Sequence, residues 1–357
     1  MTTIDQPVTV DGDKLMQFVF QAVGEVGATL NAALVVLGDK LGYYHAMAGA
    51  GGLTPADLAD RTGTHERYVR EWLNAQAAGG FVSYDPATGL YTLPPEQTVA
   101  LTDEDSPAFL PGFFQIALGT VQDTDRMVDA ARSGAGIGWH EHDSDVHLGC
   151  ERFFRPNYIA NLVDGWLPAL DGVVEKLTSG AKVADIGCGH GSSTILMAQA
   201  FPRSTYTGSD YHAESIATAE QRAADAGVDV TFEVAGSTAY GGQNYDLVTT
   251  FDALHDMGDP VGAARRVRES LAGDGTWMIV EPMAGDHVED NLNPVGRAYY
   301  GFSTLLCTPA SLSQEVGLGL GTQAGPARIR DVVTAAGFTR FRVAAQTPFN
   351  LVYEVRP

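Results

Sequence analysis

The sequence predicts an α/β protein in which a doubly wound, mostly parallel sheet follows a helical winged-helix domain. Three patterns carry that prediction. Lys182 to Ile186 is an apolar strand that runs into glycines at 187, 189 and 191, and Ser192 to Ala200 follows as a helix. Further strand-and-helix units succeed it. Ahead of them, two short helical patterns and a hairpin occupy residues 54–93.

Within the C-terminal part, Ser204 to Asp210 reads as the second strand, ending in an acid at the offset where nucleotide folds hold ribose hydroxyls. The bland alternative makes Asp210 the cap of a helix over Ala213 to Ala226. Val228 to Val234 alternates as a third strand and leads into Ala235-Gly236-Ser237, an adenine-side position. Tyr245 to Asp252 is the fourth, with its carboxyl end at the topological switch point. A helix over Pro260 to Leu271 and a strand over Thr276 to Pro282 come next. A helix over Ile329 to Ala336, stopped by Gly337, precedes strands over 339–345 and 350–355. Asp164 to Leu177 is expected to supply the helix that enters this domain.

The first third differs in texture. Phe18 to Leu41 is apolar and compatible with a helix. Thr54 caps a short helix with Pro55 at its first position and Gly63 as its stop. Thr64 then caps Glu66 to Ala78, where Val69, Trp72, Leu73 and Ala77 share one face. Phe81 to Tyr84 and Leu90 to Leu93 form the wing around a turn at 85–89. The domains expected are residues 1–105 (winged helix and dimerisation), 106–165 (helical linker covering the substrate) and 166–357 (ligand binding).

Composition excludes some classes. With 22 basic against 44 acidic residues the formal charge is -22, which disfavours nucleic acid and anionic lipid as partners. Arg67 and Arg70 of the reading helix are matched by Glu66 and Glu71, so DNA binding is not expected. Cys150, Cys188 and Cys307 are far apart, which indicates a reducing cytoplasm and neither a disulfide framework nor a zinc motif. The start at Met1 to Asp5 lacks a signal-peptide pattern, and no apolar segment long enough to span a bilayer is expected.

The loop Asp185-Ile186-Gly187-Cys188-Gly189-His190-Gly191 resembles motif I of the class I S-adenosylmethionine (SAM) methyltransferases. A dinucleotide fold is the rival, but its G-x-G-x-x-G fingerprint requires glycine where Ser192 stands. Together with residues 53–84, Asp210, Phe251 to Met257 and Val280-Glu281-Pro282, the loop makes the chain similar to an actinobacterial, particularly mycobacterial, group of methyltransferases with an N-terminal winged helix, close in plan to plant-type small-molecule O-methyltransferases. The resemblance implies a Rossmann-like, mostly parallel seven-stranded sheet with a terminal antiparallel strand. It implies SAM as cofactor, S-adenosylhomocysteine as product, a small-molecule acceptor and a homodimer. It places cofactor contacts at Asp185, Gly187, Cys188, Gly189, Gly191, Asp210, Tyr211, Gly236, Ser237, Phe251 and Asp252.

In plant-type O-methyltransferases the position of His255-Asp256 carries the histidine that deprotonates the acceptor hydroxyl, so His255 is the candidate base and Glu281 its orienting group. Met257 replaces the tryptophan common there, so the correspondence is partial. The bland alternative is a solvent-facing histidine before a helix. Residues 139–147 hold His140, His142 and His147 among carboxylates. Their spacing matches no helical metal site, so no metal is expected and the segment is read as a loop over the acceptor pocket. His140, His142, Phe154, Tyr158, Tyr299 and Phe302 are the candidate acceptor contacts, and they suit a planar phenolic or polyketide-like molecule. Two alternatives stand beside O-methylation: a SAM-binding tailoring enzyme that transfers no methyl group, such as a hydroxylase or decarboxylase, and a non-enzymatic winged-helix regulator.

Overall fold

The computed structural model describes residues 9–357; the start at Met1 to Asp5 lies outside them. The described residues form two compact units, residues 9–104 with 108–115, and residues 105–107 with 116–357.

The first unit begins with a helix over Gly12–Lys40, capped by Asp11, whose carboxylate accepts from the backbone N–H groups of Asp13 and Lys14. This helix corrects the sequence reading on one point. It is continuous, apolar and 29 residues long, enough by length and composition to cross a membrane. Its C-terminal end packs into a core with Tyr43, Tyr44, Leu58, Val69, Trp72 and Leu73. Buried polar ends are satisfied there: Tyr44 donates to Gln76 Oε1 at 2.7 Å, and Trp72 Nε1 donates to the Leu34 carbonyl at 2.8 Å. Thr54 and Asp57 form a capping box at the helix Pro55–Thr62, and Gly63 ends it in the left-handed region. The helix Glu66–Ala78 is capped by His65 instead of Thr64, because Thr64 Oγ1 bonds Thr62 Oγ1 while His65 Nδ1 accepts from Arg67 N. Strands β1 (Ser83–Asp85) and β2 (Leu90–Thr92) pair antiparallel as the wing.

In the second unit, β3 (Lys182–Ile186), β4 (Thr205–Asp210), β5 (Thr231–Val234), β6 (Tyr245–Phe251), β7 (Leu271–Pro282), β8 (Arg340–Gln346) and β9 (Asn350–Arg356) form a seven-stranded sheet. Its order is β5-β4-β3-β6-β7-β9-β8, with β9 antiparallel to β7 and to β8 and the remaining pairs parallel. The chain winds outward from β3 to β5, then returns to β6, so the switch point lies between β3 and β6. Both faces of the sheet are covered. Val248, Ile279 and Tyr353 belong to one buried cluster, Val183, Leu247 and Met278 to the other.

Some local expectations change. The expected helix over 164–177 is broken: Leu162–Trp166 is a π turn continuing the helix Ser144–Asn161, and a new helix, Val173–Ser179, starts after Gly172 at φ 69°. Pro168 has no N–H for a continued helix, and Gly172 supplies the left-handed residue that restarts it. The third strand starts at Thr231, three residues later than its alternation suggests. Residues 139–147 are a 3-10 turn, Trp139–Glu141, followed by the capped start of the helix Ser144–Asn161.

Candidate active site

The carboxyl ends of the parallel strands open onto a cavity of about 810 Å³ within the second unit. Its floor is the glycine loop after β3. Asp185 is fully buried and accepts from Ser193 Oγ (2.7 Å), Thr194 Oγ1 (2.6 Å) and Thr249 Oγ1 (2.9 Å). It does not line the cavity; it ties the end of β3 to the following helix and to β6, which fixes the loop's shape. Burial pushes its carboxyl pKa up, while the three hydroxyl donors oppose the shift. At Gly191, φ is +79°, and a Cβ there would stand 2.9 Å from the Phe232 ring and 3.0 Å from Ala219. Only glycine meets both conditions.

Asp210 closes β4 on the cavity wall, where one oxygen accepts from Gly189 N at 3.0 Å and the other from His212 N at 2.9 Å. A carboxylate has about four lone-pair sites, so lone pairs remain for a diol. His212, and not Asp210, occupies the cap position of the helix Ala213–Ala226. Gly187, Cys188, Gly189, Tyr211, Gly236 and Ser237 are also on the wall; Gly191, expected there as a cofactor contact, is not, because it packs against Phe232 and Ala219.

At the end of β6 and just past it, Phe251 and Asp252 reach the same wall. Asp252 has φ 48° and accepts from Tyr158 Oη (3.1 Å) and Asn350 Nδ2 (2.8 Å). Burial, then the neighbouring Glu281 charge, pushes its pKa up to about 8.

The 3-10 turn Leu254–Asp256 follows, and Glu281 at the end of β7 holds it. One Glu281 oxygen accepts from Leu254 N at 3.0 Å, and the other lies 2.6 Å from His255 Nδ1. His255 is buried and does not line the cavity; Asp256 does. The other ring nitrogen, Nε2, lies 3.3 Å from Asp256 Oδ1. Burial works against a charge on His255, but the Asp256 and Glu281 carboxylates outweigh it and raise its pKa well above the usual range. Burial likewise raises the pKa of Asp256, against the pull of His255.

Of the candidate acceptor contacts, His140, Phe154 and Tyr158 line the cavity. His142 does not: it is buried, with Nδ1 2.6 Å from Asp123 Oδ2. Tyr299 is turned away, donating to the Phe349 carbonyl at 3.1 Å, and Phe302 is also absent from the wall. Sequence reasoning missed one signal. His147, Cys150, Glu151, Phe154 and Tyr158 all line the cavity from the helix Ser144–Asn161. Their three- and four-residue spacing marks a single helical face. Glu151 accepts from Ser192 Oγ and Arg222, both at 2.5 Å. His147 stacks on His212 at 5.4 Å, and burial, then the charges of His212, His190 and His142, lowers its pKa to about 4.

Comparison with known families agrees with both units. A model of the Rv2258c-like winged HTH domain matches residues 29–103, and a methyltransferase-domain model matches residues 177–309. A ubiquinone/menaquinone biosynthesis C-methyltransferase (UbiE) of Bdellovibrio bacteriovorus is 29% identical over 105 residues, which are 29% of this chain and 45% of that protein. The chain thus spans about half the length of the curated relatives it matches. Among solved structures, human N-acetylserotonin methyltransferase in complex with SAM superposes with a TM-score of 0.70 at 15% identity, covering 98% of this chain and 99% of that one. An O-methyltransferase family protein from Burkholderia thailandensis gives 0.67 at 17% identity, covering 98% and 99%. The fold is that of the SAM-dependent methyltransferases, with a winged helix ahead of it.

Proposed function

From a chain that joins a winged helix-turn-helix domain to a methyltransferase domain, we propose an enzyme that binds SAM in this cavity and methylates an oxygen of a small aromatic or lipophilic acceptor, releasing S-adenosylhomocysteine. The observation that carries the reading is Asp210. Its carboxylate is fixed by two backbone N–H groups beside the glycine-rich loop, with lone pairs left for ribose hydroxyls. Gly187 to Gly189 would lie along the ligand, and Gly236 with Ser237 would meet the adenine. Among the described residues the wall carries no lysine or arginine, so a dinucleotide's diphosphate has no cation there, whereas a sulfonium meets the acidic side chain of Asp210.

When bound, SAM supplies an electrophilic methyl carbon whose bond to sulfur breaks with the electron pair returning to sulfur. The chain's own residues then have two tasks, alignment and proton removal. Trp139, Phe154, Tyr158 and Met257 offer apolar and aromatic surface to a planar acceptor. Proton removal falls to the His255–Asp256 turn: Asp256 faces the cavity, His255 stands behind it, and Glu281 fixes the imidazole.

The regulator reading is disfavoured because both arginines of the helix Glu66–Ala78 are paired, Arg67 with Glu71 and Arg70 with Glu66. We read the protein as a cytoplasmic homodimer that uses neither nucleic acid nor membrane. The separated free thiols support the cytoplasm, and the exposed apolar face of the Gly12–Lys40 helix supports the dimer.

Calorimetric titration with SAM and S-adenosylhomocysteine tests the proposal. Micromolar binding to the wild type and a loss of about 100-fold in Asp210→Ala are expected, since two hydrogen bonds to a charged group contribute about 3 kcal/mol or more. A folded wild type that binds neither ligand refutes the reading.

A further inference from the structure

The helix Ser144–Asn161 lies along the cavity and is pinned to its wall at two points. Near its start, His147 stacks on His212, two residues past Asp210. Near its end, Tyr158 donates to Asp252 at 3.1 Å, just ahead of the turn that carries His255. A helix rises about 1.5 Å per residue, so Glu151 stands about 6 Å along from the first point and about 10 Å short of the second. That stretch lies between the ribose acid and the reacting turn. We infer that Glu151 binds the ammonium group at the amino-acid end of SAM and determines the specificity for it, an assignment that rests on the SAM reading above.

The Glu151 carboxylate is positioned through one oxygen and open at the other. Oε1 accepts from Ser192 Oγ and from Arg222 Nη1, both at 2.5 Å. These bonds tie the helix to the residue that follows the glycine loop and to the helix Ala213–Ala226. Among the described residues Oε2 takes no hydrogen bond, while the side chain lines the cavity and keeps 13% of its surface exposed. Its lone pairs are therefore available to a ligand donor.

The other acids on the wall are poorer partners for an ammonium group. Asp210 is committed to the ribose hydroxyls. Burial raises the pKa of Asp252 to about 8, which keeps it largely protonated at neutral pH, and raises that of Asp256 as well. Asp259 caps the helix Pro260–Ser270, and Glu315 is exposed; both come from segments past the reacting turn. The carboxylate of the same amino acid meets the opposite partner close by. It faces the N-terminal turn of the nine-residue helix Ser192–Ala200, whose Ser192 and Ser193 line the wall.

The test is calorimetry on the full-length protein with two ligands that differ by one amino group: S-adenosylhomocysteine and its deamino analogue, 5′-S-(3-carboxypropyl)-5′-thioadenosine. Wild type should bind the first at least about tenfold more tightly, as expected for a hydrogen bond between charged groups. Glu151→Gln removes the charge and keeps the shape. It should weaken S-adenosylhomocysteine by about tenfold or more and the deamino analogue by no more than about threefold, so that the preference disappears. Equal affinity of wild type for the two ligands overturns the assignment, and this arm needs no variant. A folded Glu151→Gln protein that keeps the preference overturns it too. So does equal weakening of both ligands, which would make Glu151 only a clasp between helices. In each of these cases wild-type binding of S-adenosylhomocysteine leaves the SAM reading standing, whereas folded wild type that binds neither ligand removes that reading and the assignment together.

Discussion

His255 Nδ1 and Glu281 Oε2 lie 2.6 Å apart in a pocket where both side chains are 4% exposed. The second Glu281 oxygen holds Leu254 N, so one carboxylate sets both the backbone turn and the imidazole plane. Removing one partner of a buried charged pair strands the other, which costs about 3–5 kcal/mol. Glu281→Ala is therefore expected to lower unfolding free energy by that amount in urea denaturation, and Glu281→Gln, which keeps an oxygen acceptor, by less.

Catalysis separates from binding at the same turn. His255→Gln should reduce kcat by about 10²- to 10⁴-fold, the range for loss of a proton-transfer group, while SAM affinity measured by calorimetry stays within a few-fold of wild type. Equal loss of SAM affinity would show that His255 shapes the cofactor site instead.

Asp252 links the site to pH. Its folded pKa of about 8 lies above the ordinary 3.8, so the folded protein keeps a proton that the unfolded chain releases. The sign follows: folding takes up a proton between these values, so stability from this group is fully present below about pH 4 and declines as pH rises toward 8. Asp252→Asn should flatten the fall in denaturation midpoint between pH 5 and 8. Asparagine also tolerates the residue's φ of 48°. An unchanged slope would mean that Asp252 is ionised throughout.

The glycine loop makes a steric prediction. Alanine at 191 would occupy a left-handed residue and press on Phe232 and Ala219. The backbone conformation alone costs about 1–2 kcal/mol. Gly191→Ala should weaken SAM at least tenfold in calorimetry, with a lowered melting temperature.

The parts of the site that follow from local rules were legible in the sequence. Gly187 to Gly189, Asp210, Gly236 and Phe251 line the cavity where strand ends and the switch point put them, because a parallel sheet fixes its carboxyl edge, whereas Asp185 and Gly191 shape the loop from outside the wall. Capping failed at Thr64 because the neighbouring Thr62 hydroxyl takes its side chain. Tyr299 and Phe302 were misjudged because aromatic residues fill cores more often than walls, and neither pattern nor spacing tells the two apart. His142 looked like a pocket residue in a polar segment, yet its carboxylate partner Asp123 lies on another element. Contacts such as Cys307 with the His255–Asp256 turn depend on tertiary packing, which no local pattern records.

The Gly12–Lys40 helix is where assembly should be decided. Met16, Val19, Phe20, Val23, Val26 and Leu30 recur at helical spacing and are exposed, Phe20 at 70%. A stripe of this size is stable in water when covered, and a second copy of the same helix covers it symmetrically. Light scattering should therefore give twice 37.8 kDa, and Phe20→Glu with Val23→Glu should give the monomer with the second unit still folded and binding SAM. A wild-type monomer refutes the homodimer. Recovery only from detergent-extracted membranes would instead assign the helix to a bilayer, the other setting its length and composition permit.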